Sequence, residues 1–341
     1  MSDTRYTKRR TSGALPSLDE LDAAASLVHA SMSPTPQYQW PLLSARVAAA
    51  VWVKHENHAP TGAFKVRGGL VYLEHLRRTQ PNIAGIVTAT RGNHGQSVGF
   101  AAQRHGLRVT VIVPHGNSVE KNAAMRALGV ELIEDGHDFQ AAVEAADAIA
   151  AERGWHRLPS FHPMLVRGVG TYALEFLRAV PDLDTIYVPI GLGSGICGMI
   201  AARDALGLRT QIVGVVSAQA PAYARSLEAG RAVSHAATTR IADGMACRTP
   251  VPEALEIIAR GVERVVEVSD DDVEAAMRVI FSDTHNVAEG AGAAGVAALL
   301  RERAAVRGRS VGVVLSGGNV DREVFARVLQ PARGPSRRGD R

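Results

Sequence analysis

Apolar residues in this chain fall into short solid runs that alternate with stretches of helical spacing. "AGIVTAT", "RVTVIVP", "DTIYVPI", "TQIVGVVS" and "SVGVVLSGGN" are runs of the first kind. Their lengths and Val/Ile content suit strands buried on both faces of a parallel sheet. Between them lie "RGNHGQSVGFAAQRHG", stopped by Gly106, "SVEKNAAMRALG", stopped by Gly129, "DFQAAVEAADAIAAERG", "GLGSGICGMIAARDALG" and "APAYARSLEAG". Strands separated by helices of roughly 10–15 residues predict right-handed βαβ crossovers.

The flanks extend the pattern. "LDELDAAASLVHASM" predicts a helix with acids at its start and Ser-Pro at its end. "AAVWVKHE" and "VELIED" read as strands, and the stretch from Thr61 to Leu76 as a helix with Lys65 in its opening turn. "ERVVEVSDDDVEAAMRVIFSD" and "EGAGAAGVAALLRERAAVRG" read as further helices. The predicted class is α/β, with two open, mainly parallel sheets flanked by helices. Residues 14–83 and 161–330 are expected to form a large unit and residues 84–160 a small one. Residues 1–13 and 331–341 are expected to be disordered basic tails.

Composition supports this division. The 341 residues are 46% hydrophobic, enough for well-buried cores. Aromatic residues make up only 5%, which favours strands alternating with helices over an all-β sandwich. The pI of 9.3 raises the question of nucleic acid. Each tail carries a net +3, however, so against a formal +4 the body carries −2. A nucleic-acid groove would need basic clusters on the folded part, and none is present. Two cysteines, Cys197 and Cys247, argue against a disulfide framework and for a reducing compartment. No apolar run reaches the roughly 20 residues of a membrane span, and the N-terminus has no signal-peptide core. The expectation is a soluble cytoplasmic protein.

Chemistry enters with the glycine-rich stretches. In "GLGSGICG", Gly193, Gly195 and Gly198 satisfy G-x-G-x-x-G between a strand and a helix. Unpaired first-turn N–H groups and the helix dipole make such a turn an anion site. A dinucleotide would also want an acid ending the next strand. "QIVGVVS" ends instead in Val216 and Ser217, so a phosphate without that ribose fits better. "TATRGNHGQS" sets Asn93 and His94 between Gly92 and Gly95 where a strand ends, a place for a carboxylate as well as for an ordinary turn. "LSGGNVD" offers Ser316 and Asn319 or a serine-capped turn.

"PTGAFKVRGG" holds the remaining piece. A helix lysine is ordinarily solvated. Here Phe64 could stack on a planar ring, and Gly62 and Gly68 permit close approach. A desolvated lysine loses pKa and attacks carbonyls. A phosphate cup, a carboxylate cup and a nucleophilic lysine together describe an amino-acid enzyme using pyridoxal phosphate. His55 with His58, or His156 with His162, shows no metal-ligand spacing, and no G-x-S-x-G elbow occurs. No metal site is predicted.

These motifs, with "GVGTYALE", "TRIADGMA" and "EGAGAAGVAAL", run in order from about residue 17 to residue 330. In that order the chain resembles the β-family (fold type II) pyridoxal-phosphate enzymes of tryptophan synthase β-like fold, in the threonine/serine dehydratase and serine racemase branch. The resemblance implies that Lys65 binds the cofactor as a Schiff base and later moves the substrate α-proton. It implies Phe64 beside the ring, Asn93 on the 3-hydroxyl and Ser316 at the pyridine nitrogen. It implies Gly191, Leu192, Gly193, Ser194 and Gly195 around the phosphate. Thr90, Arg91, Gly92, Asn93 and His94 would bind the substrate, chiefly its carboxylate. The reaction implied is α,β-elimination from a β-hydroxy amino acid to a 2-oxo acid and ammonia, with the cofactor phosphate as acid, a closing small domain and a homodimer.

Three departures qualify the resemblance. Arg91 stands where relatives carry a small residue, a serine acid/base in the racemases. An arginine is a poor proton donor, which lowers the racemase reading. It leaves two roles for Arg91: reading a polar or anionic substrate group such as the distal carboxylate of 3-hydroxyaspartate, or an internal ion pair. Val216 replaces a glutamate that helps bind a divalent cation in many relatives, though Asp243 is retained. The chain also stops soon after the catalytic unit, which implies no carboxy-terminal domain for feedback control. Alternatives are a racemase or β-replacement synthase on the same fold, a nicotinamide oxidoreductase resting on G-x-G-x-x-G, and a silent binding protein.

Overall fold

The computed structural model describes residues 15–330, and the expected disordered tails fall outside them. In chain order the strands are β1 (Gln37–Gln39), β2 (Ala50–His55), β3 (Gly85–Ala89), β4 (Arg108–Val113), β5 (Glu131–Glu134), β6 (His156–Arg157), β7 (Thr185–Pro189), β8 (Gln211–Ser217), β9 (Arg264–Val268) and β10 (Ser310–Leu315). The helices through the first two-thirds are α1 (Leu18–His29), α2 (Pro41–Val47), α3 (Lys65–Thr79), α4 (Asn93–Gln103), α5 (Val119–Ala127), α6 (Phe139–Arg153), α7 (Pro163–Ala179) and α8 (Ser194–Ala205). α9 (Ala222–Ala229), α10 (Pro252–Gly261), α11 (Asp270–Thr284), α12 (Gly290–Arg301) and α13 (Arg322–Leu329) complete them.

The strands form two sheets. Six lie in the order β1-β2-β10-β7-β8-β9 and four in the order β5-β4-β3-β6. Every pairing is parallel except β1 against β2. The expected α/β class with two mainly parallel sheets is therefore what the chain adopts. β3, β7 and β10 are buried almost throughout, as their solid apolar runs require.

The differences from expectation have local causes. The front of "ERVVEVSDDD" is strand β9, with α11 starting only at Asp270. β9 pairs only with β8 at the sheet edge and is half-buried, so its polar positions hide the strand signal. β1 and β6, at three and two residues, have no pattern of their own and exist through their neighbours. α3 begins at Lys65, four residues later than Thr61. Gly62 sits at φ +68°, and Ala63 bridges to Gly317, so the preceding residues cross the end of β10 before the helix can start. α12 ends at Arg301, and the rest of "RERAAVRG" forms turns.

Helix packing accounts for one of the three fingerprint glycines. A Cβ on Gly198 would lie 2.8 Å from Gly170 N, so α7 and α8 touch backbone to backbone there. Gly198 serves packing rather than a phosphate. Beneath α3 lies a knot of buried charge. Arg67 is fully buried and donates to Glu56 through Nε at 2.7 Å and to Glu175 through Nη1 at 2.6 Å and Nη2 at 2.9 Å. Lys54 Nζ donates to Glu175 at 2.6 Å and to the Thr35 carbonyl at 2.6 Å. Burial opposes the charge on Glu175, but the Arg67 fork outweighs it and brings the carboxyl down to about 2. The loops at the carboxyl ends of β3, β7 and β10 converge on one cleft, where ligands collect in open α/β sheets.

Candidate active site

The cleft spans about 900 Å³, part of it open to solvent, and its wall mixes apolar side chains with a few convergent polar groups, as small-molecule sites do. Phe64, Lys65, Thr90, Arg91, Gly92, Asn93, His94, Gly191 through Gly195 and Ser316 all line it. Every site residue expected from the sequence is thus brought to one place from loops far apart in the chain.

The chain contains lysine at only four positions: 8, 54, 65 and 121. Lys8 lies outside the described residues. Lys54 is bound in the knot under α3. Lys121 Nζ lies 2.8 Å from Asp243 and 2.9 Å from Glu289. Lys65 has no carboxylate partner among the described residues; its Nζ donates to Ser194 Oγ at 3.0 Å and lies 5.1 Å from the Phe64 ring centroid. Burial without a compensating charge pulls its pKa from 10.5 down to about 8. A substantial share of this amine is neutral near physiological pH and free to act as a nucleophile or base.

Opposite Lys65 is the turn after β7. Gly193 takes φ +102°, and α8 starts at the next residue. A Cβ on Gly191 would lie 2.3 Å from the Gly244 carbonyl, so only glycine lets the two loops meet. Tyr223 OH donates to the Leu192 carbonyl at 3.0 Å and holds the turn from behind. The first N–H groups of α8 face the cleft without intrahelical acceptors, which makes a cup for a phosphate.

The loop after β3 forms the third side. Gly92 N–H donates to Thr90 Oγ1 at 2.9 Å, and α4 opens at Asn93. Asn93 is held at both ends of its amide: Nδ2 donates to Glu289 at 2.6 Å, and Oδ1 accepts from Asn319 Nδ2 at 2.9 Å. Burial, with Lys65 nearby, drops the His94 pKa to about 3, so this imidazole is neutral. Phe64 N–H donates to the Ser316 carbonyl at 3.1 Å, which joins the lysine loop to the end of β10.

Two further residues of the cleft, Lys121 and Glu289, have no role in the sequence reading, and a third, Asp243, enters it only through the cation question. Lys121 was an unremarked helix residue. Asp243 and Glu289 sat inside recognised motifs, but what each faces depends on Lys121, which is remote in sequence. Asp243, noted for a possible cation, is engaged by the Lys121 ammonium. Burial holds the Glu289 carboxyl above its usual range against the pull of Lys121. The lysine scarcity was the signal available: with four lysines in the sequence, each one can be questioned.

Five buried side-chain atoms lack a hydrogen-bond partner among the described residues: Thr61 Oγ1, Arg91 Nε, His94 Nε2, Gln96 Nε2 and Glu289 Oε2. The last faces Lys121 at 2.9 Å, a contact of charge rather than of hydrogen-bond direction. Arg91, His94 and Glu289 all line the cleft. Orphaned buried polar atoms are rare and call for an explanation, which a polar ligand here would give. Main-chain donors for a phosphate, one carboxylate-free lysine within reach of that cup and a flanking aromatic ring fit a phosphorylated carbonyl cofactor.

The cleft thus defines a carbonyl-cofactor enzyme acting on a small molecule. The chain belongs to the family of pyridoxal-phosphate dependent enzymes, whose pattern matches residues 28–317. It is 33% identical over 289 residues to the L-threonine ammonia-lyase of Thermotoga maritima, covering 84% of this chain and 72% of that one. The crystal structure of a T.th. threonine deaminase superposes with a TM-score of 0.83 at 32% identity, over 90% of this chain and 99% of that one. Maize serine racemase gives a TM-score of 0.85 at 27% identity, over 92% and 97%. The expected fold type II class, the cofactor and the reading as a carbon–nitrogen lyase are borne out by these relatives. No helix among the described residues is long and apolar enough to cross a membrane.

Proposed function

We propose that the enzyme is a dehydratase of β-hydroxy amino acids, converting threonine, serine or a close relative to a 2-oxo acid and ammonia. The observation that carries this reading is Lys65: a half-buried, partly desolvated amine without a carboxylate partner among the described residues, 3.0 Å from a hydroxyl of the phosphate cup. Pyridoxal phosphate, when bound, acidifies the α-hydrogen of an amino acid and accepts the electrons released. Lys65 is the residue that would hold it, and its lowered pKa suits it to remove and carry the α-proton. Gly191 through Gly195 would take the phosphate on main-chain N–H groups. Phe64 would flank the ring and Asn93 and Ser316 its polar edge. Thr90, Gly92, Asn93 and His94 would orient the substrate carboxylate, with the open first turn of α4 favouring the negative charge.

A racemase needs a proton donor on each face of the α-carbon. Arginine is a poor proton donor, so Arg91 is unsuited to be the second, which favours elimination. We further read residues 84–160 as a small domain that closes over the substrate and sheds water. Lys121 of α5 pairs with Asp243 and Glu289, and Arg248 pairs with Asp138 at 2.6 Å. Both contacts tie this segment to the rest. The free, buried Cys197 and Cys247 support a reducing, cytoplasmic setting. A homodimer follows by family analogy, with exposed Tyr38, Leu42, Phe281 and Val287 offering apolar surface for a second copy. The test of function is a panel of hydroxy amino acids assayed for ammonia and 2-oxo acid. Release of both in equal amounts from at least one substrate supports the reading, and none from any contradicts it.

A further inference from the structure

Five side chains that line the cleft carry a formal charge: Lys65, Arg91, Lys121, Asp243 and Glu289. Both acids are engaged by Lys121, at 2.8 and 2.9 Å. Lys65 has its place beside Ser194. That leaves Arg91, for which no described carboxylate serves as partner. Its Nε is buried and unbonded, while the residue as a whole keeps some exposure to the cleft. The internal ion pair, one of the two roles open from sequence, is therefore not formed among the described residues.

An unpaired guanidinium with a desolvated N–H is costly unless a ligand completes it. The α-carboxylate does not require it, because the main-chain N–H groups opening α4 already suit that group. The planar fork of arginine matches a second carboxylate through paired hydrogen bonds. A threonine methyl group would leave Nε unsatisfied, and a site built to bond a polar group rejects analogues that lack it.

We propose that Arg91 is a specificity-determining residue that binds an anionic group on the substrate's β-carbon, so that the preferred substrate is a β-hydroxy amino acid with a distal carboxylate, the class of 3-hydroxyaspartate. This rests on the dehydratase reading above and narrows it.

The test compares kcat/KM of the holoenzyme for 3-hydroxyaspartate, threonine and serine in the wild type, Arg91→Ala and Arg91→Lys. The wild type should favour 3-hydroxyaspartate by roughly 10-fold or more, and Arg91→Ala should lower that substrate by roughly 10- to 100-fold more than it lowers threonine. Arg91→Lys should restore part of the loss, since it keeps the charge without the fork. Equal losses on all three substrates would assign Arg91 to the α-carboxylate and overturn the proposal. Loss of bound cofactor from Arg91→Ala on dialysis, read from visible absorbance, would assign it to the phosphate and do the same. Turnover of threonine with no preference for 3-hydroxyaspartate would sink this inference alone. A second arm needs no turnover: calorimetry of malate against 2-hydroxybutyrate binding to the holoenzyme. Tighter malate binding that vanishes in Arg91→Ala supports the proposal even if elimination is never observed, and equal binding contradicts it.

Discussion

Two charged regions lie on either side of the start of α3, and they differ in how their charges are met. Below the helix, Arg67 and Lys54 are fully buried, with every charge engaged by Glu56, Glu175, Thr35 or Thr171. Above it, Lys65 and Arg91 have no carboxylate partner among the described residues, and three of the unbonded polar atoms, on Arg91, His94 and Glu289, belong to residues that line the same cleft. Lys65 and Arg67 are two residues apart, yet one belongs to each region. Saturation separates scaffold from chemistry: a closed network fixes the helix, and an open one waits for a ligand.

Substitutions at those two residues should break the comparison most sharply. Lys65→Ala is expected to cut turnover by about 10⁴-fold, while the protein keeps its fold by circular dichroism. Arg67→Met leaves buried carboxylates uncompensated and should destabilise the protein by about 3–5 kcal/mol in denaturant unfolding. If Arg67→Met left stability unchanged and removed only activity, the division drawn here would be wrong. Lys121→Met should fall between the two. It strands Glu289 but leaves Asp243 partly in water, so a loss of about 1–3 kcal/mol with reduced turnover is expected.

The smallest effect lies in pH. Lys65 has a folded pKa of about 8, below its ordinary 10.5, so the folded state binds fewer protons between those values. Stability of the cofactor-free protein should therefore rise with pH from about 8 to 10.5, and Lys65→Met should abolish that rise. The rate at which the cofactor-free protein takes up pyridoxal phosphate should climb around pH 8 as the amine loses its proton. A climb only near 10.5 would mean that Lys65 is not desolvated.

Much of this was legible in sequence. β3, β4, β7, β8 and β10 announced themselves because strands buried on both faces leave solid apolar runs. The cleft loops were legible because strand-to-helix turns that bind anions need glycine where the backbone must pass close. What was not legible depends on partners. β9 at a sheet edge and the two-residue β6 take their form from neighbours. Lys121 gains meaning only beside Asp243 and Glu289. Gly198 satisfied a dinucleotide fingerprint yet serves the contact of α7 with α8. Arg91 stood between two roles until its surroundings were known, since an ion pair leaves no trace in spacing.

The central claim is that Lys65 carries the cofactor, and borohydride reduction of the holoenzyme followed by peptide mass mapping tests it directly. The sequence offers only lysines 8, 54, 65 and 121. The account predicts a reduced pyridoxyl adduct on Lys65 and on no other. An adduct on Lys121 or Lys54, or a protein that leaves Lys65 unlabelled while remaining yellow, would contradict it.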